Sequence, residues 1–135
     1  MANYDGSGLG KINTSTLKLT FVGDYGSSLG AGELSGTGTA RLFAFFNQDP
    51  VIVAELNKST GKAIKQKPVS PLTVGGGWAF AHWGGDFYLF TAPSLSSQIT
   101  KYNFDTGKTT TVKSDLGYIV VGAGVSTCAP TAPPK

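Results

Sequence analysis

The sequence predicts an all-β protein built from repeats: a β-propeller fragment of about two and a half to three four-stranded blades per chain, completed by oligomerisation. Three observations carry this. A strand-turn-strand motif recurs three times at near-equal spacing. The segments between its copies are apolar on both faces, as strands covered by sheets on either side must be. Finally, 19 glycines and 7 prolines with only 14% charged residues leave little material for solvated helices, whose outer faces need Lys, Glu and Arg.

The motif reads Leu9-Gly10-Lys11-Ile12-Asn13, then Val53-Ala54-Glu55-Leu56-Asn57, then Ile99-Thr100-Lys101-Tyr102-Asn103. In each copy an alternating strand runs into an Asn whose side-chain oxygen can accept from the backbone two residues on. Gly61 and Gly107 supply the positive φ of a tight hairpin, and Thr- or Lys-bearing strands follow (17–22, 108–112). The asparagines stand 44 and 46 residues apart, the span of a four-stranded blade.

The other half of each blade lies between the hairpins. Residues 33–46 match residues 78–91, and a shift of 46 sets Leu34 on Phe80 and Leu42 on Tyr88. Residues 118–125 (Tyr-Ile-Val-Val-Gly-Ala-Gly-Val) read as one more inner strand. Residues 1–129 thus hold an outer half-blade (9–22), two blades (33–67 and 78–113) and the inner strand 118–125, before a Pro-rich tail at 130–135. A β-sandwich or open barrel is the alternative; three evenly spaced hairpins favour the propeller. Only residues 51–58 carry a helical pattern, and Val51, Ile52 and Val53 there are β-formers.

Composition narrows the function. A net charge of +3 comes from scattered lysines and one arginine, which excludes the clustered basic stripe of a nucleic-acid binder. No apolar run reaches the roughly 18 residues of a membrane-crossing helix. The polar N-terminus lacks the basic and apolar regions of a signal peptide, so none is expected in this chain. Cys128 stands alone, without a partner for an intrachain disulfide. There is no G-x-S-x-G elbow, histidine pair or P-loop.

The segments GWAFAHWGGDFYLFT (77–91), ITKYNFDTGKTT (99–110) and IVVGAGVSTCAP (119–130) resemble the C-terminal blades of uncharacterised bacterial, secreted β-propeller-like proteins. The resemblance implies the fold and a longer parent, but no activity.

Exposed blade faces would cost about 25 cal/mol per Å² of apolar surface, so the expected partner is a second copy. Two chains would close a six-bladed homodimer in which residues 118–125 of one pair near residues 9–22 of the other. Ligands are then expected at the central channel and the face loops 23–32, 70–77 and 114–118. Candidate ligand-binding residues are Glu33, Trp78, Asp24, Tyr25 and Tyr118. Converging Glu33 and Asp24 could hold a divalent cation such as Ca²⁺, although Asp24 reads equally as a turn former. His82, with Asp86 four residues on, could be a catalytic base with a carboxylate orienter, or simply a hydrogen-bonded histidine on a buried strand. The aromatic candidates double as packing residues, or line a site for a small or carbohydrate-like ligand. The leading expectation is a ligand-binding or interaction module. The alternative is a hydrolase of ester, lactone or phosphotriester bonds that activates water with a channel cation or His82.

Overall fold

A computed structural model describes residues 8–26, 28–126 and 128–133. Every regular element in it is a strand. In chain order these are β1 (Leu9–Ile12), β2 (Leu19–Gly23), β3 (Gly32–Gly36), β4 (Leu42–Phe46), β5 (Val51–Leu56), β6 (Ala63–Val69), β7 (Trp78–Trp83), β8 (Asp86–Thr91), β9 (Gln98–Tyr102) and β10 (Thr109–Lys113). They form three antiparallel sheets: the hairpin β1-β2, the meander β3-β4-β5-β6 and the meander β7-β8-β9-β10.

The repeated asparagines account for three closely similar turns. The backbone N–H groups of Asn13, Asn57 and Asn103 donate to the carbonyls of Lys18, Lys62 and Lys108, and their own carbonyls accept from Leu17, Gly61 and Gly107. Each Asn Oδ1 also accepts a backbone N–H at the tip of its turn, from Thr16, Thr60 or Thr106. The residue closing the turn must be left-handed: Gly61 (φ 76°), Gly107 (φ 74°) and, in the first copy, Leu17 (φ 55°). A leucine there carries strain that glycine escapes.

Alternation along β4 and β5 makes the middle sheet apolar on both sides. Phe43, Phe45, Val51 and Val53 face the third sheet and pack with Phe80, Phe87, Leu89 and Tyr102. Ala44, Phe46, Ala54 and Leu56 face the hairpin side with Leu9 and Tyr25. The inner strands β3 and β7 are neighbours, tied where the His82 backbone N–H donates to Ser35 Oγ at 3.1 Å.

The ladders revise the repeat alignment. Leu42 pairs with Leu56, and Phe87 pairs with Tyr102, the residue equivalent to Leu56. Leu42 therefore corresponds to Phe87, not Tyr88. The cause is the β7-β8 turn: four residues (83–86) separate the paired His82 and Phe87, one fewer than the five (37–41) between the equivalent pair Gly36 and Leu42. With period-2 alternation a one-residue slip changes the face.

Residues 118–125, expected as a strand, carry no ladder among the described residues. They are clamped crosswise at their start. Ser97 donates its N–H to the Tyr118 carbonyl, and its Oγ accepts the Val120 N–H. Ile119 and Val121 then lie against Gly77, and Gly122, Ala123 and Gly124 have little β propensity of their own.

Candidate functional site

The site residues expected from the sequence do not gather at one mouth. Glu33 and Trp78 do share an end, since each opens an inner strand. Burial raises the Glu33 carboxyl pKa above its ordinary value, and no ion pair among the described residues involves it. Trp78 packs against the aromatic core. Tyr118 approaches this end through its link to Ser97, with its ring exposed.

Asp24 and Tyr25 lie elsewhere. Tyr25 offers its carbonyl to the Ala63 N–H, which sets its backbone beside the β5-β6 turn, at the end of the sheet away from Glu33. Its ring is buried edge-on against Phe46, with centroids 5.0 Å apart. Asp24 Oδ1 accepts the Gly26 N–H in a local turn. Glu33 and Asp24 thus do not converge, and among the described residues no group of three His, Cys, Asp or Glu side chains could hold a metal ion.

His82 sits near the far end of β7, four residues and roughly 13 Å along the strand from Trp78. It pairs with Phe87, whereas Asp86 pairs with Trp83, so alternation points the two side chains to opposite faces. Asp86 is engaged on its own face, accepting from Asn103 Nδ2 at 2.8 Å and lying 3.7 Å from Lys101 Nζ. It does not orient His82, and the expected base-carboxylate pair is not assembled. His82 is 5% exposed, its ring is edge-on to Phe87, and its Nδ1 has no hydrogen-bond partner among the described residues. Burial lowers its pKa; Asp86 opposes this and Arg41 adds to it. The ring is therefore neutral at pH 7.

What the structure does assemble is a cleft between the middle and third sheets, at the end where their β3-β4, β7-β8 and β9-β10 turns meet. It encloses about 230 Å³, lined by Thr37, Thr39, Arg41, His82, Phe104 and Asp105, among others. Arg41 Nε and Nη2 each donate to Glu55 at 2.8 Å, which raises the arginine pKa and lowers that of Glu55. The guanidinium also lies 4.8 Å over the Phe43 ring. Thr37 Oγ1 and Thr39 Oγ1 are 3.0 Å apart, and Lys65 Nζ is 3.9 Å from Asp105.

Arg41 and the threonines were not among the residues the sequence pointed to, and Asp105 reads from the sequence as part of the repeated turn rather than of a site. A signal for Arg41 existed: it is the sole arginine, and in the hairpin β4-β5 it stands diagonal to Glu55, within reach for a cross-strand pair.

A second concavity, of about 360 Å³, lies on the hairpin side of the middle sheet. It is apolar, lined by Leu9, Val22, Leu34 and Leu42 with the stems of Lys11 and Lys58. No protein-family model matches the chain, and no curated protein matches it.

Proposed function

We propose that the chain is half of a β-propeller, that two copies close into a six-bladed ring, and that the ring is a binding module rather than an enzyme. The observation that carries this is the groove over Leu34 and Leu42. By the corrected repeat map these residues are the counterparts of Phe80 and Phe87, which at the next interface are covered by Phe45 and Phe43 from β4. The hairpin β1-β2 corresponds to β5-β6, and among the described residues no counterpart of β4 lies beside it. The groove is the space such a strand would fill.

The two ends of the stack fit this reading. At one end Ile12, Leu19 and Phe21 are exposed, on the hairpin face away from the middle sheet. At the other end Ile119 and Val121 are exposed, beside the third sheet's half-buried outer face of Tyr88, Phe90 and Ile99. Patches of this kind mark association surfaces. Repeating the internal sheet-on-sheet step sets the third sheet of one copy on the hairpin of the other, with residues 118–125 beside β1 over Leu34 and Leu42. A two-fold ring uses both ends twice and leaves neither open.

In that ring Glu33 and Trp78 would surround one mouth of the channel, each twice. The hydrolase reading gains nothing from the separation of His82 from Asp86. Light scattering on the 135-residue chain tests the assembly. A mass twice the 14.0 kDa of one chain is expected, with Phe21→Glu returning the monomer. A well-folded monomer at micromolar concentration contradicts it.

A further inference from the structure

We propose that the cleft between the β3-β4 and β7-β8 turns binds one unit of a neutral, polyhydroxylated ligand, a single sugar ring being the simplest case. This deepens the binding-module reading and rests on it only in supposing that the chain takes a ligand. The cleft lies within one chain, so it stands or fails apart from the ring.

The repeat argues that these side chains are not scaffold. At the equivalent positions of the preceding sheet Gly36 stands for His82, Lys58 for Phe104 and Ser59 for Asp105. The same turn and ladder form there without them. The fold at this end therefore requires neither the histidine nor the carboxylate.

The ligand class follows from how the charges are disposed. Arg41 is held by Glu55 through two of its nitrogens, and Asp105 lies beside Lys65. An anion entering the cleft meets the Asp105 carboxylate, and a cation meets Arg41. A group that both donates and accepts suits the set: one hydroxyl can donate to Asp105 while its neighbour accepts from the Arg41 nitrogen that Glu55 leaves unused. Thr39, an exposed residue, adds the hydroxyl it shares with Thr37. His82 Nδ1 is buried and has no hydrogen-bond partner among the described residues, so the neutral ring keeps its proton on Nε2, the nitrogen left to the cleft. Phe87 and Phe104 supply apolar walls for the C–H face of a ring. At about 230 Å³ the cleft is smaller than the roughly 300–1,000 Å³ of sites for drug-sized ligands, which suits one ring and not a dinucleotide cofactor.

The test is a titration of isotope-labelled full-length chain with methyl glucoside, galactoside, mannoside and xyloside, read from amide and imidazole resonances. Glucuronate and glucosamine serve as charged controls. At least one methyl glycoside should shift the Thr37, Thr39 and Gly85 amides and the His82 ring with a Kd on the order of 1 mM, as expected for so small a ligand. The charged sugars should bind more weakly. Thr39→Val and His82→Phe should each weaken binding about fivefold, the worth of one hydrogen bond; should His82→Phe fail to fold, Thr39→Val decides. The proposal is overturned if no methyl glycoside shifts these amides at about ten times that Kd, if glucuronate binds as tightly, or if the variants that fold bind unchanged.

Discussion

The middle sheet presents two faces of similar composition to two different neighbours. Against the third sheet, Phe43 and Phe45 meet Phe80 and Phe87 with ring centroids 4.8 to 5.8 Å apart, and Phe104 closes the edge against Phe43. Against the hairpin, Leu9 and Tyr25 cover Phe46, Ala54 and Leu56, while Leu34 and Leu42 are left half-open. A finished interface of the repeat and an unfinished one thus lie on opposite sides of one sheet. On the proposed ring reading, the finished side indicates what would cover the other: an apolar strand beside β1.

The difference can be broken by mutation. Phe87→Ala, inside the finished interface, should cost about 3–5 kcal/mol in urea unfolding at any protein concentration. Leu42→Ala removes the equivalent residue on the unfinished side. In a chain standing alone it should cost only about 1 kcal/mol, because much of the side chain is already in water. Where a second copy covers the groove, the cost should approach that of a core leucine, about 2–5 kcal/mol. A cost that stays small at every concentration would mean that nothing fills the groove.

His82 sharpens the contrast, since its counterpart on the unfinished side is Gly36. Its folded pKa lies below its unfolded value of about 6.5, so the unfolded chain binds the proton first. The resulting stability is complete above about pH 6.5 and is lost as pH falls below it. Melting curves should show that decline in the wild-type chain and a flatter one in His82→Phe. An equal decline in both would assign it to the carboxylates.

The smallest effect concerns the first turn. Leu17→Gly removes left-handed strain of about 1–2 kcal/mol and adds chain entropy of about 0.5–1 kcal/mol to the unfolded state. A net gain near 0.5 kcal/mol is expected in thermal unfolding at low protein concentration. A loss that grows with protein concentration would instead place the exposed Leu17 side chain in the contact between copies.

Much of this architecture was legible because it is local. Asn13, Asn57 and Asn103 with their closing residues dictate hairpins whatever surrounds them, and two-faced apolar strands imply sheets on both sides. The site was less legible because it depends on which face each residue takes. A constant 46-residue shift hid the short Gly84-Gly85 link, and with it the fact that Asp86 opposes Trp83 and turns from His82. Reading Trp83-Gly84-Gly85-Asp86 as a two-residue turn would have set both faces correctly. Gathering Asp24 with Glu33 assumed that the loop at 23–32 lies wholly at one end of the sheet; the bond from the Ala63 N–H to the Tyr25 carbonyl anchors its start at the other.

The central claim is that the unfinished face is completed by a second copy, and an isotope-filtered NOE experiment on a mixture of labelled and unlabelled chains tests it most directly. The account predicts intermolecular contacts from the Leu34 and Leu42 methyls of one chain to the Ile119 and Val121 methyls of the other. Intermolecular contacts that bypass Leu34 and Leu42, or none at a concentration where the chain is folded, would contradict it.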